Sequence, residues 1–436
     1  MKQQGNNMLT IKKLNRALLL RLLHRNESLS RKQLSENMKL SPAAISMIVS
    51  EMLDEGLLVS GKARSRKGTV GRKEIPLFIR GDYYISLGIS INIGELIFSA
   101  TDLKGKILYA SNKTIPNNVD SEYLLSCIEE EFKSFVEEQK ISTDRLIGAG
   151  IIVRGIVNQD TQVSVDSFGC IREKNIPLGE MLSERLGIFT CIDNNVRGIL
   201  RAHRFYYNDT SSNAFLVRCE KGIGAAVMID GNIINGANGM CSEFGHIPTC
   251  EISDKPCKCG GFSCLELIAS PSAIVEKVSE AMKTNNSKEF DKLSNIIEYA
   301  QKGNKTIIDI IENAAKHLAI GIKGVVLTLD PKQVVLYGSL FTHKYYIDRL
   351  FHYINEDFDN RLEVTDIFVS PYNMQFEQSA ASVLCIERFF DNGGFILKSM
   401  SHEATQIGMK TDDFSSVFIP ICVASCDMDF SITEEE

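Results

Sequence analysis

No stretch of this 436-residue sequence contains the roughly 18 apolar residues in succession that a membrane-spanning helix requires. The first ten residues also lack the apolar segment and small-residue cleavage site of a secretory signal peptide. We therefore expect a cytoplasmic protein with no membrane partner. Its 12 cysteines are then expected to be reduced thiols and metal ligands rather than disulfides. The length favours about two or three domains.

Charge is unevenly distributed along the chain. The overall net charge is -7, but residues 1–80 hold 16 Lys and Arg against 6 Asp and Glu, which gives this segment +10 and the remainder -17. A basic N-terminal head on an acidic body favours contact between the head and a polyanion such as DNA. A merely solvated basic face is the alternative on charge alone.

The first helix of the head is predicted over residues 11–24. Thr10 is placed to cap it. Leucines at helical spacing predict its buried face, namely Leu14, Leu18, Leu22 and Leu23.

Two further helices follow closely. Ser30, with Gln33 three residues later, predicts a capping box at the start of a short helix over 31–38. Ser41 is the expected cap of a third helix, with Pro42 in its first turn and an end near Glu55. The predicted inward residues of the third helix are Ile45, Ile48, Val49, Met52 and Leu53.

A short helix, a tight turn and another helix are typical of the helix-turn-helix motif, whose last helix enters the DNA major groove. The residues predicted to meet DNA there are Arg31, Ser41, Ala43, Ala44, Ser46, Met47 and Ser50. Two short strands around a basic, glycine-bearing tip predict a wing whose cations contact phosphates or the minor groove. Those cations are Arg64, Arg66, Lys67 and Arg72. The alternative is a small helical bundle for protein contacts.

From Tyr84 onward, strands and helices alternate. Apolar strands are predicted near 146–153, 190–193 and 334–337, with helices near 121–139 and 305–327. This mixture occurs twice along the chain, so we predict an α/β body of two lobes with a cleft between them.

The order of several motifs resembles the ROK family of bacterial sugar kinases and sugar-responsive repressors. The motifs are a helix-turn-helix head, D-N-N at 193–195, G-I-G at 222–224, S-E-F-G-H at 242–246 and C-K-C-G-G-F-S-C-L-E at 257–266. The resemblance covers about residues 10–390. It implies a sugar-kinase/actin-like (ribonuclease H-like) body, and the head favours the repressor branch.

The stretch from His246 to Glu266 is rich in thiols and glycines, a composition that favours zinc. Its cysteines have the spacing C-x-C-x4-C, and a histidine lies eleven residues upstream. Cys250 is an alternative fourth ligand, and buried thiols without a metal are the simpler alternative. The resemblance favours a structural zinc site formed by His246, Cys257, Cys259 and Cys264.

The resemblance also implies a sugar pocket. The family's sugar-contacting positions correspond here to Asn194, Asn195, Glu243, His246 and Glu266. Carboxylates and amides at these positions would hydrogen-bond adjacent sugar hydroxyls. Ser242 and Asn195 depart from the family pattern, which predicts an altered or weakened effector site.

Two further departures argue against kinase activity. Asn195 stands where the kinases carry an aspartate as general base, and a carboxamide cannot accept the proton of a sugar hydroxyl. The kinases' phosphate loop, D-x-G-G-T, corresponds to residues 90–94, S-I-N-I-G, which lack its acid and its paired glycines.

We therefore predict a non-enzymatic, DNA-binding repressor of carbohydrate-utilisation genes, in which a sugar effector changes operator affinity. The predicted domains are a winged helix-turn-helix at 1–80, a sensor body at 82–390 and a C-terminal extension at 391–436 of unassigned role. The partners are double-stranded operator DNA, a sugar and a second copy, in a homodimer or tetramer. The alternatives are an ATP-dependent sugar kinase with an accessory head, or a repressor controlled by a protein partner.

Overall fold

The computed structural model describes residues 8–62, 74–209, 211–282, 290–356 and 365–397. Three helices and a three-stranded sheet form the N-terminal head. Its elements are α1 (Met8–Asn26), β1 (Leu29–Ser30), α2 (Arg31–Met38), α3 (Pro42–Asp54), β2 (Leu58–Ser60) and β3 (Pro76–Ile79). β3 lies between β1 and β2 and is antiparallel to both.

The turn between α2 and α3 follows the predicted local chemistry. Ser30 and Gln33 form the expected capping box at the start of α2. Lys39, with φ of 52°, makes the left-handed turn. The Ser41 hydroxyl accepts a hydrogen bond from the Ala44 N–H at 3.2 Å, and Pro42 is the first residue of α3. The predicted helices 31–38 and 42–55 are confirmed because their start and stop signals are local.

Helix α1 differs from the prediction. It already includes Met8, so Thr10 lies inside the helix and does not cap it. The predicted buried face is only partly correct, since Leu23 is buried but Leu14 is 53% and Leu18 43% exposed. The other buried residues of α1 are Arg16, Ala17, Leu19 and Leu20. The physical reason is that an arginine occupies the buried face, which an apolar pattern does not reveal.

The first lobe of the body contains a five-stranded mixed sheet. Its elements are β4 (Ile85–Asn92), β5 (Glu95–Asp102), β6 (Ile107–Thr114), α4 (Ser121–Gln139), β7 (Leu146–Val153), β8 (Ile156–Asn158), β9 (Val163–Asp166), α5 (Leu178–Leu186), β10 (Thr190–Asn194) and α6 (Asn195–Tyr207). The strand order is β10-β7-β4-β5-β6, and β8 and β9 form a separate hairpin.

The second lobe repeats this plan. Its elements are β11 (Ala214–Cys219), β12 (Ile223–Ile229), β13 (Asn232–Ile233), α7 (Glu266–Ala269), α8 (Pro271–Met282), α9 (Leu293–Gln301), α10 (Lys305–Leu329), β14 (Gln333–Tyr337), α11 (Lys344–Asn355), β15 (Asp366–Val369) and α12 (Met374–Asp391). The strand order is β13-β12-β11-β14-β15, which is the order of the first sheet read from β6 to β10. In both sheets the first three strands in this order are successively antiparallel, and the last two are parallel to the strands beside them. The predicted two-lobed α/β body is confirmed.

Helix α12 returns from the second lobe and packs against α6, β4 and β7 of the first. Apolar side chains of α12 and α6 form one continuous core with those of the head, including Leu20, Leu57 and Phe389. The head is therefore joined to the body through packed side chains as well as through the chain. None of the described helices combines the length and the apolar character that crossing a bilayer requires.

Candidate functional site

A cavity of about 320 Å³ lies between the two sheets. Loops at the ends of β4, β7 and β10 from the first lobe and of β11 from the second lobe line it. The structure brings all five residues of the predicted sugar pocket to its wall, namely Asn194, Asn195, Glu243, His246 and Glu266. Asn194 and Asn195 are separated from Glu243, His246 and Glu266 by more than 45 positions in sequence, so the fold brings the two groups together.

Asn194 and Asn195 occupy the start of α6, where β10 ends. The Asn194 carboxamide oxygen caps the helix by accepting the N–H groups of Val196 and Arg197 at 2.8 and 3.3 Å. Its Nδ2 donates to the Gly155 carbonyl at 2.7 Å. Asn194 is thus largely used in fixing the wall of the cavity. The adjacent Asn195 makes no side-chain hydrogen bond within the described residues, which leaves its amide available to a ligand.

Glu266, at the start of α7, contacts the turn between β11 and β12. Its Oε2 accepts the Ile223 N–H at 3.0 Å. A Cβ on Gly222 would collide with this oxygen, and a Cβ on Gly224 would lie 2.7 Å from Val196 Cγ2 of α6. The two glycines of G-I-G are therefore required by close packing against Glu266 and α6.

The predicted metal ligands form one compact group. The ligand atoms of His246, Cys257, Cys259 and Cys264 all lie within 4.8 Å of one another, whereas Cys250 is exposed and outside the group. Cys257 Sγ is 3.4 Å from His246 Nδ1, and the sulfurs of Cys259 and Cys264 are also 3.4 Å apart. One nitrogen and three sulfurs at these separations suit tetrahedral coordination of zinc.

A tight turn shapes this metal group. The Cys257 N–H donates to the Gly261 carbonyl at 2.7 Å, and the Gly260 N–H donates to the Cys257 carbonyl at 2.8 Å. Gly260 has φ of +90°, a conformation that glycine adopts without strain. The glycines thus fold the chain so that the cysteines on either side of the turn converge.

His246 faces both the metal group and the cavity. Its Nδ1 points to Cys257, while Nε2 lies 3.7 Å from Glu243 Oε2. Burial raises the pKa of Glu243, and the neighbouring His246 and Arg197 oppose that rise. The two roles predicted for His246 are geometrically compatible because they use different ring nitrogens.

Arg154 and Phe168 are among the cavity residues that the sequence prediction missed. Arg154 follows β7, and Phe168 lies in the loop after β9. Phe168 has φ of 48°, an unfavourable conformation for an aromatic residue, and its ring centroid is 6.0 Å from that of His246. The only available signal was an arginine at the end of a buried strand, and nothing in the sequence marked Phe168.

Ion pairs and hydrogen bonds hold several other side chains of the cavity wall. Arg218 Nη2 donates to both carboxylate oxygens of Glu377, at 3.0 and 2.9 Å. The Ser339 N–H donates to Glu220 at 2.6 Å, and Asn112 Nδ2 donates to Glu95 at 2.6 Å. Three carboxylates therefore face the space next to residues 90–94, the stretch predicted to have lost a phosphate loop.

The α3 surface predicted to meet DNA is accessible. Ser41, Ala43, Ser46, Met47 and Ser50 are exposed, and Ala44 is half-buried. Arg31, at the start of α2, is also half-buried. The predicted wing cations Arg64, Arg66, Lys67 and Arg72 lie outside the described residues, but the strands β2 and β3 that flank them pair as predicted.

The ROK family model matches residues 87–383. The protein belongs to the ROK family. A winged helix-turn-helix DNA-binding model matches residues 15–59, so this ROK protein carries a DNA-binding head. The two matches confirm the family and head that the motifs predicted.

Similar ROK proteins include regulators and kinases. Over 342 residues the chain is 25% identical to the DNA-binding transcriptional dual regulator NagC of Escherichia coli, covering 77% of this chain and 83% of NagC. It is 26% identical over 334 residues to the xylose repressor of Bacillus subtilis, covering 76% and 83%.

Two solved structures define the fold. A ROK family transcriptional regulator, a homologue of the E. coli MLC protein, superposes with a TM-score of 0.75 at 22% identity over 88% of this chain and 98% of that one. A ROK glucokinase from Streptomyces griseus gives 0.56 at 18% identity over 69% and 98%. The sugar-kinase-like fold is thereby confirmed.

Proposed function

We propose that this ROK protein is a DNA-binding transcriptional repressor of carbohydrate-utilisation genes. Its head binds operator DNA in the cytoplasm. A sugar bound in the cavity changes operator affinity without being phosphorylated. The similarity to NagC and to xylose repressors supports this function.

The observation that carries the proposal is a continuous set of contacts from the cavity to the DNA-binding helix. α6 begins with Asn195 in the cavity and ends beside α1, where His24 Nε2 lies 3.0 Å from the Phe205 carbonyl. α12 also ends on α1, where Lys13 donates to Asn392 at 3.0 Å. Movement of either body helix would therefore displace α1.

Arg16 of α1 connects these elements to α3. Its side chain is fully buried, and Nε donates to the Gly393 carbonyl at 2.7 Å. Nη1 donates to Glu55, the residue that follows α3, at 2.8 Å. The guanidinium also lies 4.0 Å from the centroid of Phe395. One cation thus joins the end of the sensor body to the end of the DNA-binding helix.

Sugar binding between the lobes would favour a closed cleft, because a ligand shifts an equilibrium toward the state that it binds more tightly. Closure would move α12 and α6, and with them α1. In a homodimer on a two-fold operator, such a shift changes the spacing of the two heads and hence the affinity for DNA.

Three features support loss of kinase activity. Asn195 offers a carboxamide where the general base would be needed. Ser90, which stands where the kinases carry an acid, is buried in β4 and does not line the cavity. Glu95 and Glu220, which form no ion pair among the described residues, would repel phosphates in the cavity.

We also infer that His246, Cys257, Cys259 and Cys264 hold one structural zinc ion. Four N and S ligands would leave no open coordination position, so the metal would stabilise the loop and supply no catalytic chemistry. The loop carries His246 and leads directly into Glu266, so loss of the metal should disturb both.

The direct test measures operator binding by the full chain with and without each of a panel of sugars. We expect affinity for DNA to fall steeply with salt, because cations of the head displace counterions, and to change with one class of sugar. No response to any sugar would contradict sensing and would favour control by a protein partner. Sugar-dependent release of ADP from ATP would instead identify a kinase.

A further inference from the structure

Asp193 lies at the centre of a buried hydrogen-bond network. Its Oδ1 accepts from Arg197 Nε at 2.5 Å, and its Oδ2 accepts from Arg201 Nη2 at 3.2 Å. Oδ2 also accepts from Gln159 Nε2 at 3.1 Å. Burial alone would raise the pKa of Asp193, but Arg197 and Arg201 hold that pKa below its usual value. Asp193 is therefore a buried anion that depends on these partners, and we call the four residues the Asp193 network.

The Asp193 network contacts the second lobe at two points. Gln159 lies just after β8 of the first lobe, and its Oε1 accepts from Nδ2 of Asn235, which lies after β13 of the second lobe, at 2.9 Å. Arg197 Nη1 donates to the Gly239 carbonyl, in the same second-lobe loop, at 3.4 Å. A Cβ on Gly239 would lie 2.3 Å from the Val157 carbonyl oxygen of β8, so this loop packs directly on the first lobe.

The Asp193 network also reaches α12, which carries contacts to the head. Arg201 Nη1 donates to Glu387 Oε2 of α12 at 2.7 Å, and both side chains are mostly buried. One turn later α12 ends, and the Gly393 carbonyl that follows accepts from Arg16 of α1. A line of polar contacts therefore runs from residues 235–239 of the second lobe to α1.

The same loop connects the Asp193 network to the cavity. Residues 241–243, which follow the loop, line the cavity, and so does Asn194, the neighbour of Asp193. Displacement of the loop would remove hydrogen-bond partners from Gln159 and Arg197. Because an unsatisfied buried charge is costly, the remaining partners of Asp193 would have to rearrange together. Contiguous networks with two discrete arrangements can carry coupling energy between distant sites.

We propose that Asp193 is a positioning residue that couples the arrangement of the two lobes to α12, through Arg201 and Glu387. The loop at 235–239 is the part of the second lobe to which the Asp193 network responds. The inference rests on the proposed sensing function for its biological role, but the coupling itself is a property of the chain without any ligand. It specifies how a change between the lobes reaches the helix that contacts the head.

The first test uses the full chain without ligand. Asn235→Ala removes the hydrogen bond to Gln159 at the second-lobe end. We expect amides of α1 to exchange their hydrogens about threefold faster in this variant, because loss of one buried hydrogen bond shifts a local opening equilibrium by about that factor. Asn232→Ala is the matched control, since Asn232 is exposed in the same lobe and donates to the nearby Asp230 carbonyl. Exchange in α1 should be unchanged in the control.

The second test breaks the connection in its middle. Glu387→Gln keeps the shape of the side chain and removes the charge that pairs with Arg201. In this background Asn235→Ala should change α1 exchange by less than about 1.5-fold, because residues that act through one network are not additive. Glu298→Gln removes an exposed ion pair with Lys302 of the neighbouring α9 region and should leave the threefold effect intact. Asp193 itself is kept, because its loss would leave buried Arg197 without a carboxylate.

Operator binding provides the functional readout, with glucose, xylose, N-acetylglucosamine and their 6-phosphate or 5-phosphate esters as probes. Glu387→Gln should at least halve the factor by which a sugar changes operator affinity, while the affinity for that sugar changes by less than about twofold. A purely structural role of Glu387 would lower stability and leave that factor unchanged.

The possible failures are distinguishable. Faster exchange confined to the 235–239 loop in Asn235→Ala, or an equal effect of Asn232→Ala on α1, would overturn the inference. If a sugar changes operator affinity by the same factor in Glu387→Gln and in the wild type, the proposed function stands and the inference is wrong. If the exchange effects occur but no sugar changes operator affinity, the coupling stands and the sugar-sensing function fails.

Discussion

Gly222 and Gly224 have the same role in the sequence pattern but meet different neighbours in the structure. The first lies against the carboxylate of Glu266 and the second against Val196 of α6. Of the two glycines, only Gly222 lies against a side chain that is predicted to bind the sugar. Substituting Gly222 therefore tests the pocket at a single side chain.

We expect Gly222→Ala to weaken sugar binding by about tenfold or more. The new methyl group would push away the flexible end of Glu266 and break its hydrogen bond with the Ile223 N–H, which costs about 1 kcal/mol of stability. Calorimetry with the sugar that stabilises the wild-type protein measures the effect. Gly324→Ala, in α10, is the control because a Cβ there meets no atom within 4 Å. Unchanged affinity in Gly222→Ala would remove Glu266 from the pocket.

His203 provides a second residue-scale prediction, on pH. Its ring packs near Tyr207, Phe368 and Phe376, and burial lowers the pKa of His203 to about 4. The unfolded chain, with an ordinary histidine pKa near 6.5, takes up a proton first as the pH falls. Stability should therefore be lost between about pH 6.5 and 4.

His203→Phe should remove this contribution, since His203 Nδ1 has no hydrogen-bond partner among the described residues and phenylalanine suits the aromatic surroundings. When the pH falls from 7 to 5, the free energy of unfolding should decrease in both proteins, but by about 2 kcal/mol less in the variant than in the wild type. Urea unfolding at the two pH values measures this. His352→Phe, at an exposed position of α11, should behave like the wild type. Equal losses in all three proteins would contradict the prediction.

At the scale of elements, the loop between β13 and α7 carries the four predicted metal ligands. It leads into Glu266, and both His246 and Glu266 line the cavity. A loop of this kind gains its local stability from the metal that it binds.

Purified wild-type protein should contain about one zinc ion per chain, measured by elemental analysis. Cys257→Ser should lose the metal, lower the melting temperature and weaken sugar binding. Cys250→Ser should change none of these, because Cys250 is exposed and outside the ligand group. Full zinc content in Cys257→Ser, or its loss in Cys250→Ser, would show that the ligand set is wrong.

Elements with local signals could be predicted from the sequence. The capping residues Ser30 and Ser41 and the helix over 121–139 are where the sequence placed them. The buried face of α1 was not, because Arg16 is held inside by Glu55 and the Gly393 carbonyl. These partners lie 39 and 377 positions away, and no periodicity within α1 reveals them.

At the scale of the whole molecule, Arg16 contacts both Gly393 beyond α12 and Glu55 beyond α3, and we propose that it connects sensing with DNA binding. If sugar and operator are linked through one conformational equilibrium, each must change the affinity of the other by the same factor. Operator DNA should therefore alter sugar affinity as much as the sugar alters operator affinity. This equality can be measured before any variant is made.

Arg16→Met should reduce that coupling factor toward one while each ligand still binds alone. It should also cost about 1–3 kcal/mol of stability, because a buried, charged hydrogen-bond network is broken. Arg21→Met is the control, since Arg21 and Asp391 form a salt bridge between half-exposed side chains, which contributes little. An unchanged coupling factor in Arg16→Met would exclude this route from body to head.

The sequence by itself determined the family and the helix-turn-helix, because these depend on residue types at short, fixed spacings. Through the resemblance it also predicted the metal ligands and the five pocket positions, but not what surrounds them. Only the tertiary structure showed that Asn194 is a helix cap, that Gly222 makes room for Glu266, and that Arg154 lines the cavity. The physical reason is that pairing and burial depend on contacts between distant segments, which a linear pattern does not contain.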